Sequence, residues 1–231
     1  GVEALIRWQH RELGMILPEH FVPIAERSGQ IAEIGAWALE TACRQARAWQ
    51  DAGLPPLHIA VNISVAQTQR GDLVGTVRQA LQASGLPPDL LTLELTETLL
   101  VESGEQARVL INNLKTLGVK LSLDDFGTGY SSLTYLHTLP FDEIKIDRSF
   151  IKGLPQQAVS KAIVHAILAL AKGLKLDAVA EGIERPEELA SLRQFLPDCT
   201  YQGNLFSQPL SANDLTARLR NSAHFAPRLA G

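Results

Sequence analysis

Seven short runs rich in Val, Ile and Leu recur along this sequence, and between them lie stretches with helical periodicity. The runs are Val2–Trp8, Leu57–Ser64, Leu90–Thr96, Lys120–Asp124, Glu143–Asp147, Lys175–Ala180 and Cys199–Phe206. Their length and composition predict parallel strands buried on both faces. One intervening stripe is Ile31, Ile34, Ala38, Ala42, Ala46 and Trp49; a second is Ala107, Leu110, Ile111, Leu114 and Leu117. A third, Val159, Ala162, Ile163, Ala166 and Leu170, has the same spacing. Gly53, Gly85, Gly118 and Gly173 fall where left-handed helix caps are expected. Strand–helix repetition of this kind specifies a parallel α/β fold. A closed (β/α)8 TIM-like barrel takes eight strands. Seven are readable, so the first strand is expected upstream of Gly1, in a chain that has no initiator Met and starts in the lead-in to a strand. An open doubly wound sheet fits less well, because polar residues end at least five strands instead of surrounding one crevice. No Gly/Ser/Pro-rich linker interrupts the chain, which predicts one domain over 1–231.

Composition narrows the function classes. Of 231 residues, 45% are apolar and 20% charged, and 21 basic side chains face 25 acidic ones for a net charge of −4. That excludes a disordered tail, a collagen-like repeat and a coiled coil. It also supplies no basic surplus for binding a nucleic-acid polymer or an anionic membrane surface. Two cysteines, Cys43 and Cys199, are too few for a disulfide scaffold or zinc cluster and point to a reducing compartment. Cys43, among helical alanines, is expected in the core. No apolar run approaches the ~20 residues of a membrane helix, and no signal segment opens the chain. A cytoplasmic domain is expected, whether or not the parent protein is anchored in a membrane.

The strands carry acids and amides towards their ends. Glu3 follows Val2, Asn62 follows Ala60-Val61, Glu94 and Glu97 flank Leu95-Thr96, Asp124 and Asp125 follow Leu123, and Glu181 follows Val179-Ala180. One buried acid costs several kcal/mol unless paired or metal-bound, and a single case is commonly a structural ion pair. Five strands delivering oxygen ligands to one barrel rim describe a hard oxygen site, suited to Mg2+ or Mn2+ and not to Zn2+ or copper. The ligand surplus exceeds one Mg2+, so two ions about 3.5–4 Å apart fit better. Neighbouring Asp124 and Asp125 reach one site only if the strand ends there, near Gly127 and Gly129. Lys145, in the alternating Glu143-Ile144-Lys145-Ile146-Asp147, points inward with Asp147, either filling space as an ion pair or orienting a water. Arg7, on the same strand as Glu3, is a candidate phosphate clamp. Asp125-Phe126-Gly127-Thr128-Gly129-Tyr130-Ser131-Ser132 lacks the spacing of a phosphate cradle and reads as a loop beside the metals, steadied by Glu97. The six histidines form no ligand pair.

These segments together resemble the EAL family of cyclic di-GMP phosphodiesterases. The matching residues are Glu3-Ala4-Leu5-Ile6-Arg7-Trp8, Phe21-Val22-Pro23-Ile24-Ala25-Glu26, Asn62-Ile63-Ser64 and Glu94-Leu95-Thr96-Glu97. They continue with 124–133, Lys145-Ile146-Asp147, Ala180-Glu181-Gly182 and Gln202-Gly203, in family order along almost the whole chain. The resemblance implies a (β/α)8-like barrel with one antiparallel strand, and Mg2+- or Mn2+-dependent hydrolysis of cyclic di-GMP to linear pGpG. It implies that Glu3, Asn62, Glu94 and Asp124 are metal ligands, and that Asp125 is a ligand of the second metal. Lys145 matches the residue that holds the hydrolytic water, and Glu181 an acid assigned as general base or metal ligand. Leu5, Arg7 and Gln202 match substrate contacts, and Glu97 the acid that fixes the loop 126–130. Asp125 and Glu181 both remain candidates for accepting the proton.

The sequence departs from the family pattern at Arg11, Asn204 and Gln208, which bears on affinity more than on chemistry, and lacks the family's leading helix and first strand. Retention of every ligand-type residue favours an enzyme over a catalytically silent cyclic di-GMP receptor. A barrel acting on glycerol phosphodiesters would be expected to place histidines near the metal. The resemblance further implies a homodimer, paired through the region after the Gly-rich loop, and an upstream sensory, receiver or diguanylate-cyclase-like domain in the parent protein.

Overall fold

The computed structural model describes residues 1–128, 133–154, 156–195 and 199–221. Seven strands form one sheet: β1 (Val2–Ala4), β4 (Ile59–Ile63), β5 (Leu91–Thr96), β6 (Lys120–Phe126), β7 (Glu143–Ile146), β8 (Asp177–Ala180) and β9 (Thr200–Tyr201). They follow one another in chain order, and every pairing is parallel. The remaining two strands, β2 (Trp8–His10) and β3 (Gly14–Ile16), form a separate antiparallel ribbon. The helices are α1 (Pro18–Ser28), α2 (Ile31–Asp51), α3 (Val65–Arg70), α4 (Leu73–Ser84), α5 (Glu97–Thr116), α6 (Leu133–Thr138), α7 (Arg148–Lys152), α8 (Ala158–Leu174), α9 (Pro186–Phe195) and α10 (Ala212–Asn221). Among the described residues, no helix is long and apolar enough to cross a membrane. The antiparallel strand implied by the resemblance is not among the seven of the main sheet.

The sheet is curled into a partial barrel. On a flat sheet, strands six places apart stand roughly 29 Å from one another. Here the edge strands β1 and β9 are close enough for Gln202 Nε2, just beyond β9, to donate to Glu3 Oε2 in β1 at 2.6 Å. Strict alternation explains the layering. Leu91, Leu93 and Leu95 of β5, Leu121 and Leu123 of β6, and Ile144 and Ile146 of β7 are fully buried in the main core cluster. Thr92, Glu94, Glu143 and Lys145, from the alternate positions, line an interior cavity of about 310 Å3.

Several boundaries differ from the sequence expectation. The strand expected over Val2–Trp8 ends at Ala4, and the chain then turns into the ribbon, so Arg7 does not share a strand with Glu3. Cys199–Phe206 contracts to two strand residues. Helix α5 is interrupted at Gly104, whose φ of 41° and ψ of −111° suit only glycine. Helix α8 runs through Gly173 to Leu174, and Lys175 takes the left-handed cap at φ 59°. Its buried face is Ser160, Val164, Ile167 and Ala171, not the anticipated stripe, and Val159 is 70% exposed. This helix is apolar nearly all round, so spacing alone did not set which side packs inward. Cys43 is fully buried in α2, where desolvation pushes its thiol up to about 11.

Candidate functional site

The carboxyl ends of β1, β4, β5, β6, β7 and β8 bring most of the sequence-selected residues to one rim. Glu3 lies in β1 beside Ala60 of β4; two residues on, Asn62 stands in register with Glu94 of β5. Asn62 Nδ2 donates to Glu3 Oε1 at 2.6 Å, and Gln202 Nε2 takes the other oxygen. Glu3 is thereby held from both sides, and Asn62 keeps its side-chain oxygen for a further partner. The turn after Asn62 is fixed by Ser64, whose hydroxyl accepts from Ala66 N at 3.1 Å and donates to Glu26 Oε1 at 2.5 Å. Gln67 completes a capping box by accepting from Ser64 N at 3.0 Å.

Lys145 is the hub. Its ammonium, 2% exposed, lies 2.8 Å from Glu94 Oε2, 2.7 Å from Glu181 Oε1 and 3.4 Å from Asp124 Oδ1. Glu94 is itself buried, so its ion pair with Lys145 is held away from solvent. Asp147, expected to point inward beside Lys145, instead caps α7 by accepting from Ser149 N at 3.0 Å.

Asp124 and Asp125 reach the rim by a route the alternation did not suggest. The strand continues to Phe126, but the β6–β7 register shifts between Leu123 and Phe126, and Asp125 takes a left-handed φ of 55°. This bulge breaks the two-residue period that would send neighbours to opposite faces. Asp125 N donates to Asp124 Oδ1 at 2.9 Å.

Glu97 opens α5 with its side chain buried, and neither carboxylate oxygen has a hydrogen-bond partner among the described residues. The loop it was expected to steady includes Gly129, Tyr130, Ser131 and Ser132, which lie outside the described residues. Arg7 sits between β1 and β2 with Nη1 donating to Ile6 O at 2.8 Å, and Leu5 is exposed beside it. Arg11 is exposed in the ribbon turn, which His10 Nδ1 closes by accepting from Glu12 N and Leu13 N at 3.1 Å. Asn204 and Gln208 are exposed as well. Ser122 and Glu143 were passed over in the sequence. Ser122 Oγ donates to Glu143 Oε1 at 2.7 Å, and Glu143 shares the inward face of β7 with Lys145. The alternation that oriented Lys145 already carried that signal.

The electrostatics are those of an over-acidic cluster. Glu94, Asp124 and Glu181 surround one ammonium at the rim, with Glu3 and Asp125 close by, so acidic groups outnumber basic ones there. Burial pushes Glu94 up to about 8; Lys145 pulls it down and Glu3 opposes that. Burial likewise raises Glu181 to about 7, against the pull of Lys145. Asp125 is raised by burial and then by Asp124 and Asp147. Burial disfavours the Lys145 ammonium, but Glu94, Glu181, Glu3 and Asp124 outweigh it and hold its pKa above the ordinary value. Oxygen donors with excess negative charge suit hard divalent cations. As the side chains stand, no three acids among the described residues are disposed to grip one ion.

Raised carboxyl values have a definite sign. The folded, metal-free protein binds more protons than the unfolded chain between the ordinary carboxylate range and about pH 8. The stability contributed by these groups is fully present below that range and is lost as the pH rises through it. The urea midpoint measured with chelator is therefore expected to fall from pH about 5 to about 8. A midpoint that is flat or rises across that window would contradict the burial of these acids.

A family model described as the EAL domain matches residues 1–209. Among curated relatives, the bifunctional diguanylate cyclase/cyclic di-GMP phosphodiesterase MucR of Pseudomonas aeruginosa is 45% identical over 217 residues, which is 94% of this chain and 32% of MucR. The cyclic di-GMP phosphodiesterase NbdA of the same organism is 44% identical over 219 residues, 95% of this chain and 28% of NbdA. The chain thus spans about a third of the length of these relatives. The structure of the PaMucR phosphodiesterase in complex with c-di-GMP superposes with a TM-score of 0.88 at 45% identity, covering 93% of this chain and 87% of that one. The EAL enzyme Bd1971, bound to cAMP and cyclic di-GMP, gives 0.87 at 32% identity, covering 94% and 59%.

Proposed function

The chain belongs to the EAL domain family, and on that premise we propose that it hydrolyses one phosphodiester bond of cyclic di-GMP, giving linear pGpG. The observation that carries this reading is the convergence of Glu3, Asn62, Glu94, Asp124 and Glu181 around Lys145 at one rim. It is supported by the likeness to MucR, whose phosphodiesterase structure contains c-di-GMP.

Glu3, Asn62, Glu94, Asp124 and Asp125 would hold two Mg2+ or Mn2+ ions, which when bound supply an activated water and neutralise phosphoryl charge. Lys145 orients the attacking water through its ammonium. Glu181 or Asp125 accepts the proton, since burial raises the pKa of both carboxyls above that of a solvated acid. Arg7 clamps the phosphate once its guanidinium leaves Ile6 O, Leu5 and Gln202 contact the substrate, and Glu97 steadies the loop after β6. Residues 1–231 act as one domain of a longer cytoplasmic signalling protein with an upstream sensory or regulatory domain, whether or not that protein is membrane-anchored. The domain touches neither membrane nor nucleic-acid polymer. It pairs as a homodimer through the region after the Gly-rich loop.

A chromatographic assay of cyclic di-GMP with Mg2+ or Mn2+ is expected to yield pGpG, and excess chelator to reduce the rate to background. Saturable cyclic di-GMP binding without turnover in either metal would replace this reading with a non-catalytic receptor.

A further inference from the structure

Three carboxylates surround one buried ammonium at the rim, and two of them, Glu94 and Asp124, belong to the proposed metal-holding set. A buried ammonium is costly unless paired; here it sits among the acids and separates them. Glu94 Oε2, 2.8 Å from Nζ, and Asp124 Oδ1, 3.4 Å away, are oxygens of that set which the ammonium already engages. Among the described residues, no three acids can grip an ion in this arrangement. The ammonium therefore occupies carboxylate oxygens that a metal ion at this rim would need.

From this geometry we infer that Lys145 is an internal competitor for the divalent cation. In the metal-free protein its ammonium neutralises and spaces Glu94, Asp124 and Glu181. Metal uptake requires it to give up Glu94 and Asp124 while it keeps Glu181. Mutual repulsion between ammonium and metal then sets the affinity below what the acids alone would provide. The inference rests on the metal-holding reading of this rim and adds a role for Lys145 that is separate from orienting water.

The test is a Mn2+ titration followed by the electron paramagnetic resonance signal of free Mn2+, a readout that needs no turnover. Lys145→Met, which removes the charge, is expected to bind Mn2+ at least about tenfold more tightly than wild type. Lys145→Arg, which keeps the charge, is expected to show no gain. A Met variant that binds no more tightly than wild type, or an Arg variant that gains as much, overturns the competition. Absence of Mn2+ uptake by wild type and both variants would instead remove the metal reading itself, and the inference with it. Should the Met variant fail to fold, wild-type protein carrying 15N-lysine gives a second test. Its buried ammonium resonance is expected to be protected in chelator and to shift as Mg2+ saturates the site; an unshifted resonance overturns the inference.

Discussion

Glu3→Ala is expected to lower cyclic di-GMP turnover by at least about 10³-fold, roughly 4 kcal/mol of transition-state stabilisation, while the protein keeps a cooperative fold. Glu3 is bonded to both Asn62 and Gln202, so its loss removes a proposed metal ligand and frees the amides on either side. The fold survives because the change also takes one negative charge out of an over-acidic rim. Lys145→Ala also abolishes turnover in this scheme, but it is a poorer probe. Sequence reasoning alone treats the two substitutions alike. The structure separates them, because removing the ammonium leaves Glu94, Asp124 and Glu181 without their common partner, a change that costs about 3–5 kcal/mol in buried pairs. The measurement is initial pGpG formation at saturating metal, alongside circular dichroism melting. A Glu3→Ala rate near wild type would dismiss the site assignment.

Gly203→Ala is expected to destabilise the fold by about 3 kcal/mol and to raise KM more than it lowers kcat. A Cβ at this position would collide with Ile183 O and Ile183 N, at a φ of 156° that side chains rarely adopt. Ile183 cannot retreat, because its N–H donates to Gln202 O at 3.0 Å and its carbonyl accepts from Leu205 N at 3.0 Å. The clash is backbone against backbone, with no side chain available to absorb it. Displacing this crossing shifts Gln202, which bonds Glu3 across the opening between β1 and β9. Urea denaturation together with KM measurement checks both parts. A variant within about 1 kcal/mol of wild type would show that this crossing yields readily to a methyl group.

Much of the architecture was legible in the sequence. The alternation in Leu91-Thr92-Leu93-Glu94-Leu95 fixes which side chains meet helices and which face the interior, and Glu143-Ile144-Lys145-Ile146 does the same for β7. Both strands behave as expected because a period of two is a property of the strand itself. Helix α8 packs on a different face from its apparent stripe, because apolar residues on most of its circumference make several phases equivalent until the sheet selects one. The stretch from Leu5 to Arg7 was read as strand because its composition is apolar, yet the chain leaves the sheet at Ala4. The ribbon strand Gly14–Ile16 is three residues long and gave no periodic signal.

By itself, the sequence determined the kind and order of the elements, the oxygen-rich chemistry at the strand ends and the inward direction of Lys145. These follow from local periodicity and side-chain chemistry. Only the tertiary structure decided that Glu3 meets Gln202, 199 residues away. It also decided that a left-handed Asp125 turns two neighbouring acids to the same rim, and that Lys145 pairs with Glu94, Asp124 and Glu181 instead of Asp147. Those outcomes depend on sheet curl, register shift and the charge balance of groups brought together from distant strands, and no window of sequence contains them.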